Sequence, residues 1–346
     1  MLFEIDVKNN GLVILENVPA GTDVGIDYHV WTSGPHFRGI ANIPPGFHFI
    51  FFAFIDKYGE RSPRSGFYVH LKAGEVVRKV YDEQNEEMKE VDGFQNQSDL
   101  EEIGKYLAPY PLEHCSKWPT LTDRISPQLV CRVQPVCRKI DFLTTVHMEE
   151  EASKHMSSVL NVDSRIENST DENAVIRFTR LPLKLPEGLT PQEVTKHSMD
   201  SIYMLEKLIG SMEGGEDDLI GELQFAFVTF LIGQVYDCFE HWKLLVTLLT
   251  KSQDTLLKRN GLYTHFVDTV RLQMEEIPQD YFADITAQHN FLVHTFQRFF
   301  DNFADPSGVS GELVKKVSLL KHHLLRLFEC DFEEENEEDM PVVVEL

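Results

Sequence analysis

Cysteine is scarce in this sequence, and the pattern that most often gives it chemistry is missing. The 346-residue chain contains five cysteines, and no CxxC motif occurs among them. An odd and sparse set of cysteines predicts reduced thiols of an intracellular protein and argues against the disulfide framework of a small secreted domain. Acidic residues near the start, Glu4 and Asp6, stand where a signal peptide carries positive charge, so secretion is not expected.

Basic residues are also in short supply. The chain has 32 Lys and Arg against 56 Asp and Glu, which gives a formal net charge of −24 with histidine neutral. Phosphate neutralisation by Lys and Arg supplies most of the non-specific affinity of proteins for nucleic acid. We therefore expect no direct nucleic-acid binding. A strong negative field instead favours a basic protein partner, because opposite charge speeds encounter and discriminates against wrong partners.

Long uninterrupted apolar runs are absent as well. A membrane-spanning helix needs about 20 consecutive apolar residues, whereas the longest clean stretch here is 225–233. Polar residues such as Glu222 and Asp237 stand close to both ends of that stretch. The pattern therefore predicts buried core helices and no membrane association. The composition, 42% hydrophobic with 24 phenylalanines, is sufficient to fill such cores.

The first part of the chain, residues 1–145, has the pattern of a β-rich domain. Short runs rich in β-forming residues occur at 12–15, 48–55, 66–71 and 75–81, and Gly- and Pro-containing turn signals separate them. Residues 66–71 and 75–81 look like two paired strands joined by 72–74. The spacing predicts an antiparallel sandwich or a barrel-like fold.

The second part of the chain changes to helical periodicity after a polar linker predicted at 146–172. Residues 173–330 are predicted to form an all-helical domain, so that the fold class is α+β multidomain. Thr190 to Glu193 form a capping box with proline at the first helical position. Apolar residues at three- and four-residue steps continue to Gly210 and recur in later segments up to 329. A helical bundle and a solenoid-like stack both fit this pattern.

The carboxyl-terminal residues 331–346 are predicted to form an acidic tether and a strand-forming tail. The acidic run at 333–339 is too charged to bury. The tail after it consists of Pro341, Val342, Val343, Val344, Glu345 and Leu346. It could dock on this protein's own sheet or add a strand to the sheet of a partner. The residues alone leave both interpretations open.

Sequence motifs for catalysis, cofactor binding or metal binding do not stand out. No phosphate-binding loop, GxSxG or HExxH motif occurs, and His147 and His155 lie eight residues apart in a polar segment. We therefore predict no catalytic, cofactor-binding or metal-ligating residue, and no enzyme activity. Two alternatives remain: an enzyme with a site between the domains that uses His241 or His48, and a generic helical co-chaperone adaptor.

Nine runs of residues are spread in order along the chain and carry a resemblance together. In the first half they are GTDVGIDY at 21–28, WTSGPHFRG at 31–39, IPPGFHF at 43–49 and LAPYP at 107–111. In the second half they are LPEGLTP at 185–191, TKHSMD at 195–200, GELQFAFV at 221–228, FEHWK at 239–243 and PVVVEL at 341–346. Together these runs resemble the Aar-two family of spliceosome assembly factors.

The resemblance implies a β-rich N-terminal domain, a linker and an all-helical C-terminal domain. It also implies a non-catalytic, chaperone-like role in assembling the U-five small nuclear ribonucleoprotein, in the cytoplasm and the nucleus. Family members bind the RNase-H-like and Jab/MPN-like domains of the Prp-eight scaffold protein and hold off a helicase and RNA until maturation. The strand that the family's tail adds between those two domains corresponds here to Pro341 through Leu346.

Overall fold

The computed structural model confirms the α+β class, with strands in the first part of the chain and helices in the second. The residues it describes are 4–55, 58–85, 87–91, 102–147, 171–181, 190, 201–252, 256, 258–277, 291–301, 303 and 308–328. The capping box at 190–193 extends beyond them, and the proposed linker does so for most of its length. The domain boundaries drawn from composition stay a prediction.

The strands of the first part are short and closely spaced. In chain order they are β1 (Gly11–Glu16), β2 (Asp23–Ile26), β3 (His29–Thr32), β4 (Gly39–Ile43), β5 (Gly46–Ala53), β6 (Ser65–Leu71), β7 (Val76–Asp82), β8 (Glu87–Glu90) and β9 (Leu107–Pro109). Two further short strands, β10 (Thr145–Val146) and β11 (Val175–Ile176), pair with each other in parallel. The four runs predicted as strands correspond to β1, β5, β6 and β7.

These strands form two sheets with different pairing. The four-stranded sheet has the order β3-β2-β5-β6 and is antiparallel throughout, as predicted. The five-stranded sheet has the order β8-β7-β1-β4-β9 and is mixed, because β1 runs parallel to β7 and β4 runs parallel to β9. The predicted pairing of 66–71 with 75–81 is wrong. The chain crosses from one sheet to the other between β6 and β7, so that the two strands find different partners.

Aromatic side chains fill the space where the two sheets meet. The rings of Phe54, just after β5, and Tyr81 on β7 lie 4.5 Å apart between centroids. The Lys79 ammonium lies 4.4 Å from the centroid of Phe67 on β6. β1 is buried over five of its six residues, in agreement with its place in the middle of the mixed sheet. Apolar burial between the sheets is the main stabilising term here.

Eight α-helices lie within the described residues. They are α1 (Trp118–Thr122), α2 (Pro127–Val133), α3 (Ile202–Ser211), α4 (Glu216–Leu231), α5 (Tyr236–Thr250), α6 (Asn260–Glu276), α7 (Phe291–Asp301) and α8 (Gly311–Phe328). The end of the apolar pattern predicted near Gly210 agrees with the end of α3.

The contacts divide the chain into two compact units. The first contains residues 1–147, 166–178 and 224–240, and the second contains 148–165, 179–223 and 241–346. In the first unit, the hydroxyl of Tyr68 on β6 donates to Thr229 Oγ1 at 2.6 Å, since Thr229 itself donates to the Phe225 carbonyl. The Arg64 guanidinium donates to the carbonyl oxygen of Ile232 at 2.9 Å. These contacts fix the segment 224–240 against β6.

The second unit is built around fully buried aromatic residues of its helices. The indole of Trp242 on α5 donates to Gln273 Oε1 on α6 at 2.8 Å. The hydroxyl of Tyr263 donates to the carbonyl oxygens of Leu249 and Ser252 at 2.8 and 3.0 Å. Each large ring therefore has a partner for its polar atom, as buried Trp and Tyr require. None of the helices in the described part of the chain is both long and apolar enough to cross a membrane.

Candidate functional site

The segment predicted to bind a partner, Pro341 to Leu346, lies outside the described residues, as does the acidic run before it. Its role therefore stays a prediction. The structure does place the two histidines of the enzyme hypothesis, His48 and His241, and it reveals buried polar clusters, cavities and exposed apolar residues that the sequence did not indicate.

His48 belongs to a closed polar cluster in the core of the first unit. Its Nδ1 lies 2.7 Å from Asp27 Oδ2 and its Nε2 lies 2.8 Å from the carbonyl oxygen of Pro44. The same carboxylate accepts from the Phe49 amide at 3.0 Å and from the Tyr110 hydroxyl at 2.7 Å. Asp27 sits in the turn between β2 and β3 with a φ of 53°, a conformation that Asp tolerates better than most residues.

The Asp27 cluster stabilises the core of the first unit, and its side chains are too deeply buried to contact a substrate. The relative exposure is 3% for His48 and 0% for Asp27. Burial, together with the charge of Asp27, raises the pKa of Tyr110 far above its ordinary value. Burial likewise raises the pKa of the nearby Cys115 thiol. Tyr110 and Cys115 therefore stay protonated at neutral pH, and neither is a ready nucleophile or base.

His241 lies on α5 in the second unit and is also buried, with 4% exposure. Its Nε2 is 3.7 Å from Glu222 Oε2 on α4. Glu222 is fully buried and accepts from the backbone amide of Thr179 at 3.2 Å and from the Thr179 hydroxyl. The arrangement brings a carboxylate and a histidine together, but His241 is buried beside α4 and is not exposed to a substrate. Neither histidine lines one of the two cavities described next.

A cavity of about 200 Å³ opens beside β6 and β8 in the first unit. Phe52, Phe54 and Phe67 are among its apolar lining residues, and Lys79, Arg138 and Lys139 bring cations to it. Burial lowers the pKa of Lys79, while Glu90, at 3.5 Å, opposes that shift. The cavity is therefore a small space with a mixed lining, in which aromatic rings face charged side chains.

A wider depression of about 730 Å³ lies in the second unit, at the start of α6. The Arg259 guanidinium there donates to Glu206 at 2.7 Å and also to Glu216. These carboxylates raise the pKa of Arg259, and the arginine lowers the pKa of Glu206. Within the described ranges, no group of three or more His, Cys, Asp and Glu residues is placed to hold a metal ion.

A short turn in the first unit exposes two neighbouring apolar side chains. Phe142 and Leu143 have relative exposures of 70% and 59%. They occupy the two central positions of a turn from Asp141 to Thr144, both of which are buried. This exposed pair was not predicted from the sequence, although Asp and Thr three residues apart are typical of a hydrogen-bonded turn.

Comparison with known proteins gives matches along most of the chain. A family model described as the AAR2 N-terminal domain matches residues 9–135, and a model described as the AAR2 C-terminal repeat region matches residues 178–333. AAR2 and Aar-two are the same family.

Curated relatives extend over the same length. The human Protein AAR2 homolog is 37% identical over 363 residues, which covers 96% of this chain and 93% of the relative. The Caenorhabditis elegans Protein AAR2 homolog is 32% identical over 351 residues, which covers 94% of this chain and 95% of the relative. A more distant relative from Saccharomyces cerevisiae, the A1 cistron-splicing factor AAR2, is 25% identical over 256 residues, covering 68% of this chain and 69% of the relative.

Proposed function

Because this chain belongs to the AAR2 family, we propose that it is a non-catalytic splicing factor that helps to assemble the U-five small nuclear ribonucleoprotein. In this role it binds the Prp-eight scaffold protein through the RNase-H-like and Jab/MPN-like domains of that partner, and it blocks premature binding of a helicase and RNA. The observation that carries the proposal is the 37% identity to the human relative over 96% of the chain.

The charge of the chain supports a protein partner. A net charge of −24 repels RNA and attracts basic protein surfaces. Long-range attraction of this kind acts mainly on the association rate and is screened by salt. We therefore expect the rate of association with the scaffold to fall steeply between 50 and 300 mM salt, with a smaller change in the dissociation rate.

Strand addition by the tail is the proposed binding step of residues 341–346. Three consecutive valines favour extended structure. The main chain of such a segment can hydrogen-bond to the edge of a partner's sheet, while alternate side chains enter pockets. The acidic run at 333–339 then acts as a tether between the helical part and the added strand.

Affinity purification from cells followed by mass spectrometry tests the function. The intact chain should recover the scaffold and other components of the U-five particle, and a chain lacking 331–346 should recover less of them. Recovery dominated by heat-shock chaperones, without any spliceosomal scaffold, would contradict the proposal and favour a co-chaperone adaptor. Equal recovery with and without the tail would remove the tail from the mechanism.

A matched pair of point variants tests strand addition itself. Val343→Pro removes a backbone donor and fixes φ, so it should prevent ladder formation, whereas Val343→Ala keeps the backbone donor. We expect the proline variant to bind the purified scaffold as weakly as the truncated chain, and the alanine variant to bind only slightly more weakly than the intact chain. Equal binding by both variants would contradict a β-ladder.

Residence in both the cytoplasm and the nucleus is part of the same proposal, since assembly precedes the use of the particle in splicing. Fractionation of cells that express a tagged chain tests it. The protein should be recovered from both compartments, and exclusive recovery from membranes or from the secreted medium would contradict the role.

A further inference from the structure

The turn from Asp141 to Thr144 in the first unit is held by four polar contacts. The amide of Thr144 donates to the Asp141 carbonyl at 3.0 Å, and the amide of Asp141 donates to Thr144 Oγ1 at 2.9 Å. The amide of Leu143 donates to Asp141 Oδ1 at 2.9 Å. The other carboxylate oxygen of Asp141 lies 2.9 Å from Lys139 Nζ. The turn therefore has one well-determined conformation.

Both ends of this turn are fixed to the body of the first unit. Ile140 exchanges two backbone hydrogen bonds of 2.8 Å with Gly66 of β6. On the other side, the amide of Val146 donates to Asp237 Oδ2 at 3.3 Å. Phe142 and Leu143, the tip of the turn, therefore lie between two fixed attachment points.

The side chains at the centre of the turn are large and apolar, which is unusual for a turn exposed to water. Phe142 and Leu143 are adjacent, large and apolar, and they are 70% and 59% exposed. Turns are normally occupied by Gly, Pro, Asn, Asp and Ser. Contiguous exposed apolar side chains, rimmed by polar residues, are typical of interaction surfaces.

We propose that Phe142 and Leu143 are an anchor that this protein inserts into an apolar pocket on a basic partner protein. The inference rests on the proposed function and adds to it a contact that is separate from the tail. An aromatic and an aliphatic side chain at the centre of an interface supply a large part of its binding energy when the partner offers a desolvated pocket. Because the turn is already ordered, little conformational entropy is lost on binding.

The net charge of the chain indicates what kind of molecule offers the pocket that receives this anchor. A net charge of −24 repels a second copy, an anionic lipid surface and a nucleic acid alike. A symmetric contact between two such tips also falls short of a stable dimer. An aromatic side chain buries about 150–250 Å², whereas specific interfaces bury about 1,200 Å² or more. A basic protein with an apolar pocket satisfies both the net charge of the chain and the apolar chemistry of Phe142 and Leu143.

The test is a binding measurement with the purified Prp-eight scaffold protein and the full chain. The variant carries both Phe142→Ser and Leu143→Ser, and Leu112→Ser is the matched control because Leu112 is 63% exposed in the same unit. We expect the double variant to bind at least tenfold more weakly and the control to bind as the unchanged protein does. Unchanged melting temperatures for both variants confirm that the fold is intact.

A third variant separates the side chains from the order of the turn. Asp141→Ala keeps Phe142 and Leu143 but removes the carboxylate that bonds Leu143 and Lys139. We expect a loss of a few fold in affinity, smaller than that of the double variant. A loss with Leu112→Ser equal to that of the double variant would instead indicate a general effect of surface apolarity and would overturn the anchor.

The failure of the anchor and the failure of the proposed function give different results. If the unchanged chain binds the scaffold and the double variant binds equally well, the anchor is overturned while the function stands. If the unchanged chain does not bind the scaffold, the function fails. Binding to anionic vesicles, or concentration-dependent self-association that the double variant abolishes, would assign the tip to another occupant and would also overturn the proposal.

Discussion

Asp27 and His48 form a buried polar contact, with Asp27 Oδ2 and His48 Nδ1 2.7 Å apart. The second ring nitrogen of His48 faces the carbonyl oxygen of Pro44, which can only accept a hydrogen bond. Asp27 and Pro44 thus hold the imidazole from both sides, and the same carboxylate also accepts from Tyr110. The cluster joins β5, the turn after β2 and the segment after β9, so that one carboxylate fixes three parts of the first unit.

Replacement of Asp27 by alanine should strongly destabilise the first unit. It leaves His48, the Tyr110 hydroxyl and the Phe49 amide buried without their shared partner. Each buried donor that loses its acceptor costs about 1–3 kcal/mol. Urea unfolding followed by circular dichroism measures the change. A midpoint equal to that of the unchanged chain would show that the cluster contributes nothing to stability.

Tyr110→Phe is the milder test of the same cluster. It removes one hydrogen bond to a carboxylate that keeps its other partners, at a cost of about 1.5–3 kcal/mol for a bond to a charged group. Tyr106→Phe is the matched control, because Tyr106 is an exposed tyrosine of the same segment. The control should be within about 0.5 kcal/mol of the unchanged chain, as surface substitutions usually are. Equal effects of the two variants would contradict a special role for Tyr110.

Replacement by alanine should destabilise the protein at Gly25 but not at Gly34. A Cβ at Gly25 on β2 would lie 2.1 Å from the Phe51 ring of the neighbouring strand, whereas a Cβ at Gly34 has no atom within 4 Å. Gly25→Ala forces the buried ring and the backbone apart, and overpacking of this kind typically costs about 1–3 kcal/mol. Gly34→Ala should be neutral. The melting temperatures of the two variants measure this difference. Similar values would contradict the close packing of Phe51 against Gly25.

The sequence predicts which segments become strands and helices better than it predicts how they pair. The run 66–71 is β6 and the run 75–81 is almost the whole of β7, yet they join different sheets. Alternating apolar residues and a turn between them are local signals, and they suit a hairpin as well as a crossover. The choice depends on β1, which lies more than 60 residues earlier in the chain and offers β7 a parallel partner.

For a related reason, the buried polar cluster around Asp27 could not be predicted from the sequence. Asp27 bonds to His48 across 21 positions and to Tyr110 across 83, so no short motif contains the group. The position of Asp27 in a turn between two strands does not reveal that its carboxylate points into a core. The tail at 341–346 stands out in the sequence because its valines follow an acidic run, and its role stays a prediction.

A double-mutant cycle on Trp242 and Gln273 tests the polar contact in the core of the second unit. Gln273→Leu leaves the buried indole N–H without its acceptor, at a cost of about 1–3 kcal/mol. Adding Trp242→Phe removes the unsatisfied donor, so the double variant should be more stable than the sum of the two single changes predicts. Strict additivity of the unfolding free energies would show that the 2.8 Å contact does not couple the two side chains.

Acid should destabilise the first unit through His29. This residue on β3 stacks on His114 with centroids 4.6 Å apart. Burial, and secondly the charge of His114, lower the pKa of His29 below its ordinary value of about 6.5. The unfolded chain therefore binds a proton more readily than the folded chain, so stability is present above about pH 6.5 and falls as the pH drops below it.

His29→Gln removes this titration and should flatten the fall in melting temperature between pH 7.5 and pH 5. Val30→Thr changes the next residue of the same edge strand and leaves His29 in place, so its profile should follow that of the unchanged chain. His114→Gln removes the neighbouring charge but keeps the burial of His29, which is the larger cause of its shift. Its profile should lie between the other two, and identical slopes for all variants would contradict the assignment.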